Sequence, residues 1–226
     1  MKSGRTLLVV LAVAGFAGTA MADQVHISHP GDAYRNPSFA GGAFRASHVS
    51  GYIGEYGGFG GTADSFLTFC LEKDEFVNLG STYYVTLDTV ARDGGAGGPS
   101  PDPISAQTAA MYQEFRDGGS FGGLGALDTA NEIRSLQMAI WYSEDEISNT
   151  EFNNDALAVA LYNWGAANND GTIGNVRVMN LWTSANGGHA QDMLTIVPLP
   201  PAAWAGMASM AGVAGMGYVR RRGPRS

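Results

Sequence analysis

The chain has 226 residues, a formal charge of −8, 45% hydrophobic composition and a single cysteine, Cys70. One thiol excludes an intramolecular disulfide, and the length allows one domain with a real core. Two of the 13 basic residues lie before residue 23 and four after residue 219, so seven face all 21 acids in the middle of the chain, which excludes nucleic acid as a natural partner.

Residues 1–22 have the form of a secretory signal: basic Lys2 and Arg5, an apolar run from Leu7 to Ala17, and the small-residue end Ala20, Met21, Ala22. A mature chain beginning at Asp23 is expected. Residues 23–61 mix short apolar pieces with Gly, Ser and Tyr, as edge strands and loops of a β-rich domain do. Ser65 to Leu71 is short, mostly aromatic or aliphatic and bounded by polar residues, which predicts a buried strand. Thr82 to Val90 alternates and is expected to be its partner in an antiparallel sheet.

The period then changes. Asp102 reads as an N-cap with Pro103 at the first helical position, followed by Ile104, Thr108, Met111 and Phe115 on one face until Gly118 stops the run. Thr129 and Glu132 form a capping box that opens a second helix, whose stripe is Ile133, Leu136, Gln137, Ile140 and Trp141. A third helix is expected from Asp155 to Asn163. Strands return at Asn175 to Trp182 and at Asp192 to Val197, joined through Ser184 to Gly188. The order of strands, helices and strands predicts an α+β fold, an antiparallel sandwich or barrel-like sheet with a helical insert of about three helices.

At the C-terminal end, Val197, Pro198, Leu199 and Pro200 precede an uncharged stretch from Ala202 to Val219, then Arg220, Arg221 and Arg222. As a helix the stretch would reach roughly 27 Å, near a bilayer's hydrocarbon thickness. Its Ala, Gly and Met content suits a transient hold on the membrane. This three-part tail resembles the Val-Pro-Leu-Pro variant of the PEP-CTERM exosortase sorting signal. The resemblance implies an exosortase-type processing enzyme, transient inner-membrane anchoring, and delivery to the surface or exopolysaccharide matrix of a Gram-negative bacterium. Three segments are thus expected: a signal peptide at 1–22, an ectodomain at 23–196 and a sorting signal at 197–226.

Within the ectodomain, Gln137 sits on the apolar stripe of the second helix, and a buried carboxamide without partners costs about 1–3 kcal/mol. Cys70 offers one resolution: its thiol can attack that amide, expel ammonia and leave an internal thioester, a stored electrophile open to primary amines. Phe69, Cys70 and Leu71, followed by Leu136, Gln137, Ala139, Ile140 and Trp141, resemble the TQXA-type thioester domain of Gram-positive surface adhesins, with Leu136 where that family has Thr. The resemblance implies a Cys70–Gln137 crosslink and covalent attachment to surface amines or exopolysaccharide. Because such a warhead acts once, the chain is expected not to be an enzyme. The other expectation is a non-reactive structural or carbohydrate-binding module of the biofilm matrix with the same fold.

Other patterns are weaker. His26 and His29 have no third ligand in sequence, and Asn168 to Gly171 lacks the spacing of a calcium loop. Glu144, Asp145 and Glu146 close the second helix and read as a solvated face. No metal or cofactor is expected.

Overall fold

The computed structural model describes residues 23–34 and 41–197. The leader, Pro198, Pro200, the 202–219 stretch and Arg220, Arg221 and Arg222 lie outside the described residues. Among the described residues no helix is long and apolar enough to cross a membrane.

The chain folds as mixed α+β. Strands β1 (Asp23–Ser28), β2 (Phe44–Ser50), β3 (Ser65–Thr68) and β4 (Ser81–Asp88) come first, then the short pair β5 (Val90–Ala91) and β6 (Asp102–Pro103). Helices α1 (Ala106–Arg116), α2 (Ala130–Ser143), α3 (Asn149–Asn153) and α4 (Ala156–Asn168) follow, and β7 (Val176–Ser184) and β8 (Gly187–Ile196) end the described chain. The main sheet is antiparallel with six strands in the order β3-β2-β1-β4-β7-β8.

The two ends of that order meet. Just past β3, Leu71 N–H donates to Asp192 O at 2.9 Å, Leu194 N–H donates to Phe69 O at 3.1 Å, and Cys70 bridges Met193. The sheet is curled until its terminal strands touch, so neither is left as a bare edge. All four residues of β3 are buried, which explains why its sequence shows no alternation.

Two apolar clusters hold the fold. One gathers Val25, Ile27, Ala46, Phe66, Val85 and Met193 of the sheet with Cys70 and Trp141. The other packs Leu67, Phe69, Val178 and Leu194 against Tyr112, Phe115, Leu136 and Leu161 of the helices. T-shaped contacts of Phe69 with Tyr112 and Phe115, at centroid separations of 6.4 and 5.0 Å, join strand segment to helix α1.

Several local expectations are corrected. The Thr82–Val90 region, as β4, pairs with β1 and β7 rather than with the Ser65–Leu71 strand, whose partners are β2 and β8. β1 is an interior strand of the sheet and not an edge. Asp102 and Pro103 extend as β6 against β5; the first helix starts later, with Ser105 as its N-cap accepting from Thr108 N–H at 3.0 Å. The cap moves because Ile104 N–H is already committed to Thr89 O at 3.3 Å, which holds residues 102–104 extended. A fourth, one-turn helix, α3, occurs because Ser148 and Glu151 form a second capping box. β7 and β8 run further than expected, so that Ser184 pairs with Gly187 across a two-residue turn.

Candidate functional site

Gln137 lies in the middle of α2, which its Thr129–Glu132 capping box fixes at the N-terminus. The side chain is fully buried and reaches the seam where the sheet closes. There its Oε1 accepts from Cys70 N–H at 3.1 Å, and its Nε2 donates to Cys70 O at 2.8 Å. Phe69 and Leu71 spend their backbone groups on β8, so those of Cys70 point the other way. β2 runs out of register partners at Phe44, opposite Thr68. The carboxamide takes the place of the missing strand, answering donor with acceptor as a peptide unit would.

Gly41 makes this approach possible. A Cβ there would stand 2.9 Å from Gln137 Cγ and 2.6 Å from Trp141 Cη2, well inside contact distance. No motif in the sequence marks Gly41.

Cys70 is a free thiol, only 4% exposed. Burial, reinforced by the nearby carboxylates of Glu72 and Glu75, pushes its pKa far above the ordinary thiol range. At neutral pH it is therefore a protonated, unreactive thiol toward anything not already seated beside it. A cavity of about 250 Å³ opens onto it, lined by Trp141, Glu72, Glu75, Phe76 and Gln191. Phe76 at this cavity is 72% exposed.

The carboxylates around the seam are the part that the sequence did not reveal. Glu72 is 3% exposed, and burial together with Asp192, Glu75 and Glu146 pushes its carboxyl up to about 11. Among the described residues its Oε2 has no hydrogen-bond partner. Asp192 is wholly buried and takes the Arg92 N–H on Oδ2. His189 joins three acids: Nδ1 lies 3.1 Å from Glu75 and 3.3 Å from Asp93, and Nε2 lies 2.9 Å from Asp192. Burial works against a charged ring, but bonds to Asp192 and Glu75 outweigh it and push the imidazole pKa up to about 10.

Glu144 and Glu146 are corrected: they are not a solvated face. Glu144 is buried and accepts from Ser105 N–H and Oγ–H, while Glu146 accepts the N–H groups of Lys73 and Ala96. They tie the end of α2 to the loops on either side of it. Asp145 alone of the three is exposed. His26 and His29 belong to no cation-holding group among the described residues. Asp170 accepts from Thr172 N–H at 2.9 Å, the turn expected at Asn168–Gly171.

A larger cavity of about 390 Å³ lies away from the seam, bounded by Gln113, Glu114, Trp164, Asn168, Asn169 and Asp170. It contains no thiol or imidazole. No family model, curated protein or solved structure matches the chain.

Proposed function

We propose that the chain is an exported attachment protein that stores an acyl group as a thioester between Cys70 Sγ and Gln137 Cδ. In forming it, the new C–S bond replaces the amide C–N bond, and the thiol proton leaves with the nitrogen as ammonia. A primary amine then attacks the carbonyl, the C–S bond breaks, and the thiol is regenerated as the amine is acylated. The event happens once per molecule and is not turnover.

The observation that supports this reading is the double hydrogen bond between the Gln137 carboxamide and the backbone of Cys70, the residue that carries the chain's thiol. The cavity at Cys70 supplies an exit for ammonia and an entrance for an amine. The amine would belong to a surface or matrix component. Export by the leader, trimming by an exosortase-type enzyme and passage through the inner membrane by way of the 202–219 stretch complete the proposal. Intact mass of the purified ectodomain tests it: the bonded form is lighter by one ammonia, takes up methylamine, and loses both properties in Cys70→Ala. A full-mass wild-type chain inert to methylamine would refute it.

A second reading rests on the larger cavity. Trp164 offers a ring beside the amides and carboxylates of Gln113, Glu114, Asn169 and Asp170, a pairing of apolar face and polar edge that suits a sugar. Here the chain would bind exopolysaccharide, with Cys70 and Gln137 unreacted and serving the fold alone. Binding of matrix polysaccharide that Trp164→Ala abolishes and Cys70→Ala spares would favour it.

A further inference from the structure

The seam gathers more acidic side chains than basic ones. Glu72, Glu75 and Asp192 each place a carboxylate oxygen within 4.8 Å of the others. Two of the three residues are almost entirely shielded from water, Glu72 at 3% and Asp192 at 0% exposure. His189 is the one cationic ring among them, and it is shared with Asp93 as well. Lys73 turns away to Glu151 at 2.6 Å, and the Arg92 guanidinium lies over the Trp182 ring. Clustered acids of this kind are common and by themselves mean little.

What sets this cluster apart is Glu72 Oε2. It is buried, its residue belongs to the cluster, and it has no hydrogen-bond partner among the described residues. A buried polar oxygen without a partner is unfavourable by about 1–3 kcal/mol, so it marks a place where a ligand is missing. Nearby groups cannot fill it: the Gln191 amide donates instead to Glu72 O at 2.8 Å, and Asp192 N–H donates to Glu75 Oε2 at 3.2 Å.

We propose that Glu72, Glu75 and Asp192 form a binding site for a hard divalent cation at the border of the Cys70 cavity. The donors are all carboxylate oxygens, with no thiolate among them, which selects calcium or manganese over zinc. Glu72 and Glu75 line the cavity, which gives the ion a path in and room for the waters that complete its shell. His189 holds Glu75 and Asp192 from behind and orients them toward the ion. The site requires no reaction at Cys70 and stands apart from the thioester reading.

The test uses the purified chain stripped with EDTA. Calcium at millimolar concentration is expected to raise the midpoint of thermal unfolding by about 5 °C, and manganese to bind one ion per chain by electron paramagnetic resonance. Glu72→Gln keeps the shape of the side chain. It should abolish both effects while melting no lower than the wild type in EDTA, because it removes an uncompensated acid. If Glu72→Gln does not fold, Glu75→Gln must show the same loss. Cys70→Ala should keep the full calcium shift, which separates this outcome from the fate of the thioester. No shift with either ion, or an undiminished shift in Glu72→Gln, would overturn the site. So would binding of zinc alone that His189→Ala abolishes, since that would assign the ion to Glu75, Asp93 and His189.

Discussion

Arg116 and Glu72 are both ionisable residues buried to 3% exposure, and they are treated in opposite ways. Arg116 ends α1 and donates to Tyr112 Oη at 3.1 Å, to Glu55 O at 2.8 Å and to Gly57 O at 3.1 Å. Its guanidinium also lies 4.8 Å from the centroid of Phe66. No carboxylate is needed, because carbonyl dipoles and a ring face disperse the charge. Tyr112 in turn donates to Leu67 O and Leu194 O, so the Arg116 group pins α1 to the strands on both sides of the closure. Glu72, one residue past the closing segment, has other acids for neighbours, which with burial keep its own proton on. Each keeps one buried atom without a partner among the described residues, Arg116 Nε and Glu72 Oε2, so the difference lies in the company: carbonyls and rings around Arg116, further acids around Glu72.

The largest expected effect comes from breaking the Arg116 side. Arg116→Met should lose about 3 kcal/mol in urea denaturation, because it strips several charge-assisted bonds and removes the donor to the Glu55 and Gly57 carbonyls. Glu72→Gln without added cation should lose nothing, and equal losses in the two variants would erase the distinction. Next is Gln137→Leu, which orphans both backbone groups of Cys70 and should cost about 2 kcal/mol, with the ammonia-loss signature gone. Gly41→Ala should cost about 1–2 kcal/mol from overpacking against Trp141 and Gln137. If the proposed thioester forms, mass spectrometry should show less of it there, although neither Cys70 nor Gln137 has changed.

The smallest effect lies at Glu144, an intermediate case: buried and bonded to Ser105, yet with a raised pKa because burial outweighs its bonds to Thr108 and Ser105. Its folded form holds a proton more tightly than the unfolded chain does. The associated stability is full below the unfolded carboxyl range near pH ~4.3 and declines as pH rises through the folded value. Glu144→Gln should flatten part of that decline. The difference between variant and wild type in urea midpoints from pH 4 to 7 measures it, and parallel curves would remove Glu144 from this group.

Local signals carried much of the fold. The Thr129–Glu132 box and the five-residue stripe of α2 were legible because helix period and capping act within a few residues. Gln137 was conspicuous because an amide interrupts that stripe. The burial of Cys70 followed from its apolar neighbours. Strand order was not legible: β4 looks like a natural neighbour for β3, and nothing local says that β1 and β2 intervene. The acid cluster was hidden for the same reason, since Glu72 and Asp192 are joined only when the last strand meets residues 69–71. Glu144 and Glu146 were misjudged because acids at a helix end oppose its dipole and usually seek water. Here the backbone N–H groups of Lys73, Ala96 and Ser105 take the water's place. Asp102 and Pro103 matched a helix start in type, but a bond from Ile104 to Thr89 outcompeted it.

The closing of the sheet also fixes an order in time. Cys70 reaches its final surroundings only when Met193 and Leu194 arrive from the opposite end of the domain. A contact between such distant parts of the chain forms late in folding, after the local helices and hairpins. A chain in which β8 has not yet docked therefore has its sulfur and its amide present but without their native surroundings. Any chemistry between them would wait on the completed fold.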